Sequence, residues 1–70
     1  MDQNKRYILA EKDQFGCDQY YVRTPQSWFE LTLFPKKATV LGFDDAIETS
    51  RNLREFGGHF RIILLDSLLQ

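Results

Sequence analysis

FDDAIETSRNLREFGG, residues Phe43 to Gly58, is the stretch that decides the fold. Ala46, Ser50, Leu53 and Phe56 or Gly57 recur at helical spacing, and Ile47 widens the apolar stripe. Asp44 and Asp45 stand at the start, where the helix dipole favours anions; Arg51 and Arg54 stand toward the end, where it favours cations. Glu48 and Arg51 are three apart and Arg51 and Glu55 four apart, the spacings at which side chains pair weakly on a helix. Gly57-Gly58 offers a left-handed stop. No other segment carries this period, so the chain has one convincing helix.

Around that helix the sequence reads as strands. Directly after it, HFRIILLD (His59–Asp66) is apolar at odd and even positions alike, over Phe60 to Leu65. Before it, WFELTLF (Trp28–Phe34) alternates, with Phe29, Leu31 and Leu33 on one side and Trp28, Glu30, Thr32 and Phe34 on the other. Pro25 and Pro35 bound that segment. Arg6–Ala10 and Tyr20–Arg23 are short strand-favouring runs joined by the polar, turn-forming stretch Glu11–Gln19, which reads as a hairpin with a long loop. Lys36-Lys37 suits a solvated turn, and Ala38–Gly42 is either a short edge strand or an extended connector. The order is β-β-β-(β)-α-β. The expected fold is α+β, a small antiparallel sheet of three to five strands with one helix packed on one face. Residues 1–70 form a single domain, with no repeat, low-complexity segment or linker.

Composition narrows the function classes. Six Phe, three Tyr and Trp28 exclude a disordered chain. A formal net charge of −1 gives no overall attraction to nucleic acid or anionic lipid. The start, MDQNKRYILAEKDQ, lacks the apolar core of a signal peptide, and the longest apolar run, Ile62–Leu65, is too short to cross a bilayer. One cysteine, Cys17, excludes an intrachain disulfide and suits a reducing compartment, so a soluble cytoplasmic protein is expected.

No catalytic constellation emerges. Cys17 lies in a turn beside Asp18, whose charge opposes thiolate formation, and no histidine is near in sequence. His59 could act as a base with Asp44 or Asp45, but no nucleophile accompanies it, and a helix-end or solvent role is the better account. One Cys and one His cannot supply a metal-ligand set, and Asp44-Asp45 lacks further oxygen ligands at loop spacing. Gly57-Gly58 ends a helix, whereas phosphate-binding glycines precede one. No catalytic, cofactor or metal residue is therefore assigned, and the expectation is a non-enzymatic protein.

The remaining functional hint is a mismatch of coverage. A helix of about thirteen residues is roughly 20 Å long and 10 Å wide, so it shelters one face of a sheet whose strands lie about 4.8 Å apart. Phe29, Leu31, Leu33, Phe60, Ile62 and Leu64 are assigned to the helix side. The opposite face would carry Tyr21, Trp28, Phe34, Arg61, Ile63 and Leu65, an apolar patch of the kind that marks a contact surface. Its occupant is expected to be a second copy of the chain or another protein, making the molecule a self-associating interaction module. Two alternatives stand beside this. The loop Glu11–Gln19 or the tail Leu68-Leu69 could roof that face from within. The mix of Arg23, Arg61 and aromatics could instead stack single-stranded nucleic acid, against which Glu30 and the acidic balance weigh.

The run KKATVLGFDDA, followed by a helix, a glycine pair and a terminal apolar strand, resembles a pattern in small uncharacterised proteins of bacteria and their prophages. There a lysine-alanine pair, a bulky apolar residue, an acidic pair and an alanine open the only helix. Lys37-Ala38, Leu41, Asp44-Asp45 and Ala46 hold those places here, while the helix-capping Ser or Thr is replaced by Gly42 or Phe43. The likeness covers about the last half of the chain and implies the C-terminal helix-then-strand unit but no activity.

Overall fold

A computed structural model describes residues 5–26 and 28–68. Strands β1 (Tyr7–Lys12) and β2 (Asp18–Val22) form an antiparallel hairpin. Its turn is short. The Asp13 carboxylate accepts from the amides of Phe15 at 2.8 Å and Cys17 at 2.9 Å, and Gly16 takes the left-handed conformation the turn requires, φ 82°. With the turn held there, Glu11 pairs with Gln19 and Lys12 with Asp18. The expected long loop Glu11–Gln19 thus shrinks to a turn over residues 13–17, with its two ends in the ladder, and it is not a lid.

Strand β3 (Glu30–Thr32) adds to β2 and β4 (Arg61–Leu64) adds to β1, both antiparallel, giving the order β3-β2-β1-β4. Helix α1 (Phe43–Arg54) packs across β1 and β4. The fold is the expected α+β sheet with one main helix against it. A further single turn of helix, α2 (Leu65–Leu68), follows β4 directly. Helix α1 opens without a side-chain cap at Gly42, with Asp44 and Asp45 in its first turn and Arg51 and Arg54 in its last. It closes at Gly57, φ 92°, where Gly58 N–H donates to the Leu53 carbonyl and Gly57 N–H to the Arg54 carbonyl, both at 3.0 Å. These are the paired bonds of a Schellman stop.

The connector from β3 to α1 resolves the open question over Ala38–Gly42. After a 3-10 turn at Pro35–Lys37, residues 39–41 enter the plane of the sheet. Thr39 N–H donates to the Tyr21 carbonyl at 3.0 Å, and Tyr7 and Leu41 exchange both backbone bonds at 2.8 Å. The segment is a wedge between β2 and β1, whose direct pairing stops at Ala10 and Tyr20. Its alternation points Ala38 to one face and Leu41 to the other, and both are buried.

Two apolar clusters result, one per face. On the helix side lie Leu9, Tyr21, Leu41, Ala46, Leu53 and Phe60, with Tyr7 and Phe29 against them. On the helix-free side lie Ile8, Ala10, Tyr20, Ala38 and Leu65, with Ile63 against them. Ile8 and Leu9 are adjacent, point to opposite faces and are both 0% exposed, so β1 is buried on its two sides. The second face is therefore closed by the chain itself. Ala38 of the connector and Leu65 at the start of α2 complete the buried cluster on that face. Leu69 lies outside the described residues.

The expected interaction face needs correction in these terms. Tyr21 is on the helix side, buried against α1, because Tyr20 rather than Tyr21 shares the face of Ala10. Leu65 is on the helix-free side but is buried. WFELTLF pairs only at Glu30–Thr32, so Trp28 and Phe34 lie beyond the ends of β3 and do not share its pleat. Arg61 and Ile63 do face away from the helix, opposite Ala10 and Ile8.

Candidate interaction surface

Exposed apolar side chains gather on the helix side, near the end of α1. Trp28 is 52% exposed and Phe56 72% exposed, and their rings meet edge to face with centroids 4.3 Å apart. Trp28 also meets Phe29 at 4.7 Å, and Phe29 in turn reaches Phe60 at 6.2 Å and Tyr21 at 5.9 Å. The aromatic chain thus runs from two solvent-facing rings down to the buried rings of Phe60 and Tyr21. Such edge-to-face contacts hold the outer rings in fixed orientations at a small free-energy gain, about 0.5–1.5 kcal/mol per pair.

Each half of this ridge is placed by a local break in the chain. Phe56 follows the last regular turn of α1, and the Schellman stop turns it off the buried stripe, so the expected core role for Phe56 is not realised. Trp28 precedes β3 and is free of its alternation. Between and beside them opens a groove of about 200 Å³ lined by Trp28, Phe29, Leu31, Phe56, Phe60 and the Gly57-Gly58 backbone, among others. Glycine matters at position 58: an added Cβ would sit 3.0 Å from the Phe60 ring and 3.2 Å from the Leu53 carbonyl oxygen. A second hollow of about 270 Å³, on the other side of Trp28, is bounded by Tyr21, Arg23, Thr49, Asn52 and Leu53.

The polar groups near this surface are engaged with one another. The Arg23 guanidinium donates to the Tyr21 hydroxyl at 3.1 Å, to Thr49 Oγ1 at 3.1 Å and to Asp45 Oδ1 at 3.3 Å. Thr49 Oγ1 donates to Asp45 at 3.0 Å. The bond to Tyr21, then that to Asp45, hold Arg23 above its ordinary range. The bond from Arg23 holds Asp45 below the usual carboxylate range, against some desolvation and helped by Thr49. This constellation ties β2 to α1 and fixes the helix on the sheet.

The other candidates are dispersed. Phe34 is exposed, with the Lys37 ammonium 5.1 Å from its ring centre. Arg61 reaches across the helix-free face to Asp18 at 2.9 Å. Cys17 is exposed in the hairpin turn. His59 is exposed, and its backbone N–H donates to the Glu11 carboxylate at 2.7 Å. Among the described residues no group of three or more His, Cys, Asp and Glu is placed to hold a metal ion, and no helix is long and apolar enough to cross a membrane.

Of the six side chains expected to share one face, the structure brings together Ile63 and Leu65, with Arg61 beside them; Tyr21 and Trp28 are on the helix side, and Phe34 lies beyond the end of β3. Phe56 and Leu31 belong to the exposed surface, and the sequence signal for Phe56 was its position three residues after Leu53 and directly before the glycine stop. Comparison with family models, curated proteins and solved structures finds no match to this chain.

Proposed function

We propose that this chain is a non-enzymatic protein-interaction module whose contact surface is the Trp28–Phe56 ridge and the groove beside it. The observation that carries this reading is the pair of solvent-facing rings, 52% and 72% exposed, braced from beneath by buried aromatics. Rigid, half-exposed Trp and Phe beside an apolar pocket are the kind of anchor that dominates binding energy in protein interfaces. Covering both rings releases on the order of 5 kcal/mol before the costs of association. The groove accommodates one aliphatic or aromatic side chain of a partner, set beside Trp28 and Phe56.

The nucleic-acid alternative is the weaker reading. It needs Arg23 and Arg61 beside aromatics on one sheet face, but Arg23 is bonded to Asp45 and Arg61 to Asp18, so each charge has a local counter-charge.

Selection of a random peptide library against the wild-type chain, with folded Trp28→Ala as counter-target, tests the proposal. Enrichment of peptides that carry an apolar anchor, discriminate the two chains and shift Trp28 emission supports it. Failure to obtain any such peptide, or salt-sensitive binding of mixed-sequence single strands that survives the substitution, contradicts it.

A further inference from the structure

The two edges of the sheet are not alike. Strand β3 is three residues long, carries Glu30 and is followed closely by Pro35, all features that blunt an edge. Strand β4 reads Arg-Ile-Ile-Leu, pairs without a bulge, and holds no Lys or Pro. Its one charged side chain, Arg61, is drawn over the helix-free face to Asp18 and does not guard the edge.

The direction of the free backbone groups on β4 follows from the ladder. Leu65 N–H donates inward to the Arg6 carbonyl, and antiparallel bonding alternates, so Ile63 and Arg61 also bond inward to β1. Tyr7, which faces Leu64, spends its own N–H and carbonyl on Leu41 on the far side, as this alternation requires. The N–H and carbonyl of Ile62 and the N–H of Leu64 therefore point outward and are open, whereas the Leu64 carbonyl already accepts from Ser67 Oγ at 2.7 Å. About Ile63 this edge is complementary to itself: in an antiparallel pair the Leu64 N–H of each copy meets the Ile62 carbonyl of the other.

We infer that two copies of this chain pair antiparallel through β4, about a two-fold axis at Ile63, joining two four-stranded sheets into one of eight strands. That axis stands perpendicular to the sheet, so both α1 helices lie on the same face. Helix α1 rests across β1 and β4, and with a strand spacing of about 4.8 Å the two helix axes come to roughly 10 Å apart, the distance at which helices pack. The flank of α1 that turns toward this edge is the one away from Arg23: Thr49 and Asp45 point to Arg23, which leaves Phe43 and Ile47 on the opposite side by helical spacing. Phe43 is exposed, Ile47 half-buried and Ile62 37% exposed, so the dimer covers an apolar strip that the single chain leaves open. The helices run antiparallel, which brings the acidic first turn of each, at Asp44, toward the basic last turn of the other, at Arg54. A net charge of −1 per copy opposes this little.

The inference uses a different surface from the Trp28 ridge, and its test separates the two. Sedimentation equilibrium from about 10 µM to about 1 mM should show a monomer–dimer equilibrium, in keeping with an interface smaller than the standard of about 800 Å² per partner. Ile62→Lys, at a position that makes no hydrogen bond to β1, should raise the dissociation constant at least about tenfold, with the far-ultraviolet spectrum unchanged. Trp28→Ala should leave the dimer intact. In the wild-type chain, amide exchange at Leu64 should slow as concentration rises. A monomer throughout the range, a dimer indifferent to Ile62→Lys but lost in Trp28→Ala, or a dimer whose Leu64 amide exchanges freely would each overturn it.

Discussion

Replacing Leu65 with Ala probes how the helix-free face is kept dry. Leu65 is 9% exposed and belongs to the buried cluster of Ile8, Ala10, Tyr20 and Ala38. Its backbone N–H bond to Arg6 survives the substitution, so the change removes side-chain atoms only. Core Leu→Ala substitutions cost about 2–5 kcal/mol, depending on how far the site collapses. The site lies near the end of the described chain, where backbone can shift. The expected loss is about 2–3 kcal/mol. For a small domain with a urea m-value of about 1 kcal/mol/M, the midpoint falls by about 2–3 M. The thermal midpoint falls by about 10–20 °C. Urea titration of both chains, followed by Trp28 fluorescence and by circular dichroism at about 5 µM and about 200 µM, measures this. The roof is intramolecular, so the difference between the two chains is the same at both concentrations. A loss below about 1 kcal/mol, or a loss that appears at one concentration only, refutes the self-covered face.

The remaining predictions concern the ridge, the helix stop and the Arg23 cluster. Trp28→Ala lowers unfolding free energy by no more than about 1.5 kcal/mol, because the ring is half exposed, while removing peptide binding; urea titration beside a binding assay separates the two effects. Gly57→Ala costs about 1–2 kcal/mol, since φ 92° is strained for any residue with a Cβ; a change below a few tenths in urea titration contradicts the Schellman geometry. Asp45 is held below its ordinary pKa, so the unfolded chain takes up that proton more readily than the folded one. Its contribution is complete above about pH 5 and is lost as pH falls through the folded-state value below about pH 4. With the pair about half exposed, solvent screening keeps this under about 1 kcal/mol. Asp45→Asn should therefore flatten the slope of stability against pH between about 5 and 3, and an unchanged slope argues against the Arg23 pairing.

What the sequence made legible was set by periodicity and by stop signals. Ala46 and Leu53 lie on the buried stripe of α1, and Gly57 is the left-handed stop. The strand order along the chain and the α+β class follow from the same reading. Legibility failed where a local conformation breaks the period. The carboxylate of Asp13 sets a tight turn that lengthens the hairpin at the expense of the loop. Thr39–Leu41 is an inserted wedge, held by bonds to Tyr21 and Tyr7 that are 18 and 34 residues distant and invisible to any local pattern. That wedge adds Ala38 to the buried cluster of the second face. Strand β3 ends before Leu33 and begins after Phe29, so the alternation of WFELTLF overstates the pleat and misplaces Trp28. A lone helix does not leave the second face bare, since Ile8, Ala10, Tyr20, Ala38 and Leu65 are buried there. The exposed ridge arises from two chain breaks, at the end of α1 and before β3, that meet only in three dimensions.

Solvent accessibility of individual side chains, read by paramagnetic relaxation from a soluble gadolinium chelate at a concentration where the chain is monomeric, bears on all of this at once. Strong relaxation at Trp28 and Phe56, with Ile8, Tyr20 and Leu65 shielded, is the result that follows from a self-covered sheet and an aromatic contact ridge. The reverse pattern, with Ile8 and Leu65 strongly relaxed and Trp28 and Phe56 protected, would contradict it.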